Sequence, residues 1–169
     1  MIDRHRMGRA TMVALMAGLA GPVAAMSPAN IPVATPVAAT VGEWEILGFG
    51  DAAACSLQRS VDSGVGLVLD MRRDGAAPPA LHVSSREWAL RETDRHELRL
   101  MKGETVLLMV PLTGRNPLDG APDGGFLDRF ADAAEAHVFS DGRRIGTVPL
   151  DRAALVAEAM RRCLAGQPP

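Results

Sequence analysis

Between residues 43 and 111 the chain alternates apolar and polar positions in short runs broken by turn residues, the period-2 pattern of half-buried strands. Trp44–Phe49 opens the series and Gly50-Asp51 ends it. In Cys55–Val61 the positions Cys55, Leu57, Arg59 and Val61 share one face, with Arg59 off-pattern. Asp62-Ser63-Gly64 turns the chain into Val65–Met71, which ends at Asp74-Gly75. Ala80–Ser84, Trp88–Arg91, His96–Met101 and Glu104–Pro111 complete the run of expected strands.

Residues 113–125 hold four glycines and two prolines and are expected to be irregular. A helix is expected over Phe126–Ala136, capped by Asp123, because Phe126, Phe130 and Ala134 recur at helical spacing. Val138–Ser140, Asp141-Gly142 and Arg143–Val148 read as a hairpin, since Asp-Gly suits the two positive-φ positions of a type I′ turn. A final helix is expected over Arg152–Ala165, capped by Asp151, with Val156, Ala159, Met160 and Cys163 in one apolar stripe. Glu158 stands four residues before Arg162, the favourable order for an ion pair, and Gly166 with the closing prolines ends the helix. The expected fold is α+β: a mainly antiparallel sheet or sandwich of seven to nine strands, with two helices toward the C-terminus.

The N-terminus reads differently. Arg4, Arg6 and Arg9 precede an uncharged run from Ala10 to Ala20, which Gly21-Pro22 breaks before the small residues Val23-Ala24-Ala25. This is the three-part plan of a secretory signal peptide over residues 1–25, cleaved before Met26. The apolar run is shorter than the roughly 20 residues of a membrane span, so no transmembrane anchor is expected after cleavage. Residues 26–42 carry three prolines among small residues and read as a linker. The folded domain is then expected over 43–165, with a short tail at 166–169.

Export changes the meaning of the cysteines. Cys55 and Cys163 are the only two in the chain, and in an oxidising compartment an even count favours a disulfide. With no Cys-x-x-Cys, a structural bridge is preferred to a reactive thiol. The chain carries 18 basic and 20 acidic residues, a net charge of −2, so there is no basic field for nucleic acid. Two Trp, four Phe and no Tyr make base-stacking platforms a poor fit. The partner expected is a protein of the periplasm or the cell envelope.

Candidate chemistry is sparse. Val61-Asp62-Ser63-Gly64-Val65 has the apolar-Asp-Ser-Gly core of aspartic proteases, whose chemistry requires two carboxylates sharing one proton. One such loop would need a homodimer with Asp62 supplied twice; the plain alternative is a hairpin turn. Asp94, His96 and Glu97 could present carboxylates and an imidazole to a divalent metal, or form a solvated turn. Arg86, Arg91, Arg95 and Arg99 flank Trp88, with Arg86, Trp88 and Arg91 the candidate partner surface, although Glu87, Glu92, Asp94 and Glu97 nearly neutralise the arginines. No Gly-x-Ser-x-Gly, His-Glu-x-x-His or phosphate loop occurs, and no cofactor is expected.

The order of landmarks is a further clue. Trp44 opens the first strand, Cys55 follows one strand later and Trp88 falls at mid-chain. The end, FLDRFADAAEAHVFSDGRRIGTVPLDRAALVAEAMRRC, runs helix, hairpin, Pro-Leu step and a helix closing on Cys163. Over residues 43–165 this layout resembles small exported proteins of alphaproteobacteria and, more loosely, the invasion-associated locus B family. The resemblance implies a non-enzymatic periplasmic protein that binds envelope partners, and it implies no catalytic residues. The expected function is an exported binding module, with a dimeric aspartic-type hydrolase and a small-ligand carrier as alternatives.

Overall fold

A computed structural model describes residues 37–50, 53–59 and 64–169. The expected signal peptide, residues 26–36 of the expected linker, and Asp62 lie outside the described residues.

Among the described residues, ten strands and two helices follow one another in the order β1 (Val37–Val41), β2 (Trp44–Phe49), β3 (Ala54–Arg59), β4 (Val65–Arg72), β5 (Ala80–Ser85), β6 (His96–Lys102), β7 (Thr105–Gly114), β8 (Leu118–Gly120), α1 (Phe126–Asp132), β9 (Glu135–Ser140), β10 (Arg143–Pro149) and α2 (Ala153–Leu164). Every pairing is antiparallel, in the order β1-β2-β3-β4-β5-β8-β7-β6-β9-β10. The fold is α+β with a mainly antiparallel sheet and two helices, as the hydrophobic pattern implies; ten strands are described where about seven to nine are expected.

Register explains the core. Ile46, Leu57, Leu69 and Leu81 stand opposite one another across four strands, and Leu98 stands between Val110 and Val138. All of these side chains are buried. Because side chains alternate between faces, each strand sends this set to one side, where the helices cover it. α1 buries Phe126, Leu127 and Phe130, and α2 buries Val156, Met160 and Cys163. Phe130 meets the Trp44 ring edge-on at 5.3 Å. Cys163 is joined to Cys55 on β3, closing a sequence separation of 108 residues and tying the last helix to the first strands.

Several local expectations are corrected. The domain reaches back at least to Val37: proline punctuation stops at Pro36, and the β-branched run that follows pairs with β2 through a turn at Gly42, where φ is +65°. Trp88–Arg91 is not a strand, because Trp88 N–H turns back to Ser85 O and Asp94 N–H to Arg91 O. Residues 113–125 are not wholly irregular; β7 runs on to Gly114, and Leu118–Gly120 pairs with both β5 and β7. Gly120 makes that possible, since a Cβ there would lie 2.8 Å from Leu112 Cδ2.

The first helix ends at Asp132 rather than Ala136, because Ala136 is drawn into the β6–β9 ladder, where pairing overrides alanine's helix preference. Neither expected aspartate caps its helix. Asp123 Oδ1 accepts from Gly125 N–H, and α2 starts from Arg152 without a side-chain cap. Glu158 lies 3.8 Å from Arg161, not against Arg162, and Arg161 also pairs with Asp128 of α1 at 2.6 Å. The Asp141-Gly142 hairpin has both positive φ values, 47° and 76°.

Candidate functional site

Arg59, the residue off-pattern in its strand, faces the core and is 7% exposed. Burying a cation is costly unless it is paired and hydrogen-bonded. Here the guanidinium donates to the Glu43 carboxylate and to the Pro149 carbonyl, and it lies 5.6 Å from the centre of the Trp44 ring. These contacts join the start of β2 to the end of β10, so Arg59 acts as a tie between distant segments.

Of the expected site residues that are described, His96 and Glu97 border one surface hollow, which Asp94, Arg86 and Arg91 do not line. Asp62 falls outside the described residues. His96 is buried on the inward face of β6, with Nε2 3.3 Å from Arg91 O, whereas Glu97, its neighbour along the strand, takes Arg99 as its partner. Asp94 Oδ2 accepts from Arg91 N–H and holds a turn. Arg86 and Arg91 are exposed, but Trp88 is half-buried against the core, and its indole N–H donates to Ile145 O at 3.1 Å. Trp88 is therefore a fastening of the fold, flanked by two solvated arginines.

One polar cluster has no counterpart in the sequence patterns. On the outward face, His82 of β5 stands opposite Asp119 of β8, and its Nδ1 lies 2.7 Å from Asp119 Oδ1; Nε2 lies 3.7 Å from Asp70 Oδ2 on β4. Alternation alone could place Asp70 and His82 on a common face, but Asp119 sits in the stretch expected to be irregular. The three side chains are about half exposed. Among the described residues no hydroxyl bonds to His82, so the cluster holds no activated side-chain nucleophile. Both thiols are consumed in the disulfide. Among the described residues, no group of three His, Cys, Asp or Glu side chains is placed to hold a metal ion.

Open hollows mark the surface of the described residues. One, of about 440 Å³, runs over the outward face with Glu45, Gln58, Ser84 and Arg86 around Gly66. Another, of about 460 Å³, is lined by Arg95, His96, Glu97 and the Asp141-Gly142 turn. Between sheet and helices the space is filled by Trp44, Phe126, Phe130 and Met160, all fully buried. At the β4–β5 turn, the Arg72 guanidinium, hydrogen-bonded to Asp74, holds that carboxyl down at about 2, with the Ala76 N–H assisting.

Among the described residues, no helix is long and apolar enough to cross a membrane. The geometry defines the chain as a disulfide-tied α+β domain with one ten-stranded antiparallel sheet. No protein-family model, no curated protein and no solved structure matches it.

Proposed function

We propose that this chain is an exported periplasmic protein that acts as a non-enzymatic interaction module, meeting a protein or envelope partner through its surface. The observation that carries this reading is the buried Cys55–Cys163 bridge, a bond that persists in oxidising compartments and is rare in reducing ones. The signal-peptide pattern of residues 1–25 points to the same compartment. A non-enzymatic role is further supported by the placing of both thiols in the disulfide and by the lack, among the described residues, of a hydroxyl bonded to His82.

The test is fractionation of cells producing the full chain, with mass measurement of the recovered protein. The expected result is a periplasmic species beginning near Met26, with no alkylatable thiol before reduction and two after it. A cytoplasmic species with its N-terminus intact and both thiols free would overturn the reading. So would a hydrolytic activity that disappears in Asp62→Asn, which would restore the dimeric aspartic-type alternative. Crosslinking in intact cells, followed by affinity recovery, is expected to return an envelope component.

A further inference from the structure

The two ends of the sheet are finished differently. β10 is closed off. Its ladder with β9 is interrupted by an irregularity between Arg144 and Gly146. Trp88 donates to the Ile145 carbonyl, Arg59 donates to the Pro149 carbonyl, and Val65 presses so near Gly146 that a Cβ there would lie 2.4 Å from Val65 Cγ2. These are the devices that keep an edge from pairing further.

Among the described residues, β1 has none of them. Its ladder to β2 is regular from Val37↔Gly48 to Val41↔Trp44. Among the described residues, no side chain or backbone group bonds to its other edge. Its sequence, Val-Ala-Ala-Thr-Val, contains no charge, no proline and no glycine. An edge of this kind is a ready template for another extended chain.

We infer that the occupant is a second copy of this chain, paired antiparallel β1 to β1 about a two-fold axis at Ala39. Two features fit a second copy. The first is self-complementarity: with Ala39 opposite Ala39 of the second copy, Val37 stands opposite Val41 and Ala38 opposite Thr40, so no charge or proline meets the ladder. The second is closure. A β1-to-β10 contact would propagate from copy to copy, but β10 is capped, whereas the isologous β1 contact uses the same edge twice and stops at a dimer. The inference does not rest on the compartment or on the non-enzymatic reading.

Sedimentation of the protein as recovered from the cell, over a range of concentrations, tests it. The expected result is a monomer–dimer equilibrium. Thr40→Lys puts a charge on each side of the new ladder and is expected to raise the dimer dissociation constant by about tenfold, with the melting temperature of the monomer retained. Ala39→Cys supplies an independent readout: mild oxidation is expected to link two chains through position 39, and Thr40→Cys is expected not to. A protein that stays monomeric at every concentration would overturn the inference, as would a dimer indifferent to Thr40→Lys. Slow exchange of the outward amides of 37–41 in a monomer would overturn it too, by showing that the chain's own residues cover the edge.

Discussion

β1 and β10 are the outermost strands of one sheet, and they are held by different means. β10 is fixed from the side by groups remote in sequence: Arg59 on β3, Trp88 after β5, and Val65 at the start of β4. β1 is held by its ladder to β2 and by the neighbouring helix α2, which the disulfide clamps to β3. One end is thus finished by side-chain caps at its edge. The other is braced from behind and, among the described residues, left open along its edge. A sheet can therefore be closed to pairing at one end and ready for it at the other without any difference in strand type.

Removing the brace should have the largest effect. Cys55→Ala with Cys163→Ala is expected to lower stability by about 4–5 kcal/mol, the loop-closure contribution of a bridge spanning so long a segment. Chemical denaturation checks this, and amide exchange should show loosening of β1 and β2 ahead of β10. Equal loosening at both ends would erase the contrast between the two edges.

Gly146→Val attacks the opposite end. The new side chain meets Val65, and its Cβ would lie 3.2 Å from Cζ2 of the Trp88 ring, so overpacking should cost about 2–3 kcal/mol. Arg59→Met keeps the unbranched stem of the side chain but removes the guanidinium that bonds the Pro149 carbonyl and Glu43, for an expected loss of about 2 kcal/mol. Both variants should loosen β10 and spare β1, which exchange measured strand by strand would show.

The smallest effect lies away from both ends. The Asp74 carboxyl is held at about 2, below its ordinary value of 3.8. A depressed carboxylate contributes stability that is present above its unfolded value and is lost as pH falls through its folded value. The contribution of this turn should therefore fade between about pH 4 and pH 2, and Asp74→Asn should remove that part of the pH dependence. Because the pair is exposed, its ions are screened by solvent, and NMR titration of the carboxyl is the suitable measurement.

The amino-acid pattern makes some of these features easier to read than others. The period-2 runs from Trp44 to Pro111, the Asp-Gly hairpin and the Cys163 stripe report local periodicity, which survives folding because each element buries one face. β1 is hidden because Val37–Val41 follows a proline-rich stretch, and its strand character comes from pairing with β2 rather than from a pattern of its own. β8 is hidden for a related reason: three residues in a glycine-rich loop carry no period, and Leu118 is placed by neighbours on both sides. The polar ties are less legible still. Nothing local connects Arg59 to Pro149, Trp88 to Ile145 or His82 to Asp119. Each is a product of the sheet's order, and only the off-pattern position of Arg59 hints that a polar group faces the core.

Amide hydrogen exchange, recorded on the same protein below and above its dimer concentration, tests the difference between the two ends most directly. Protection of the outward amides of Val37–Val41 is expected to rise with concentration while that of Arg143–Pro149 stays constant. Protection of residues 37–41 that is unchanged across that range, or that rises equally in both strands, would refute an open edge at β1 and a closed one at β10.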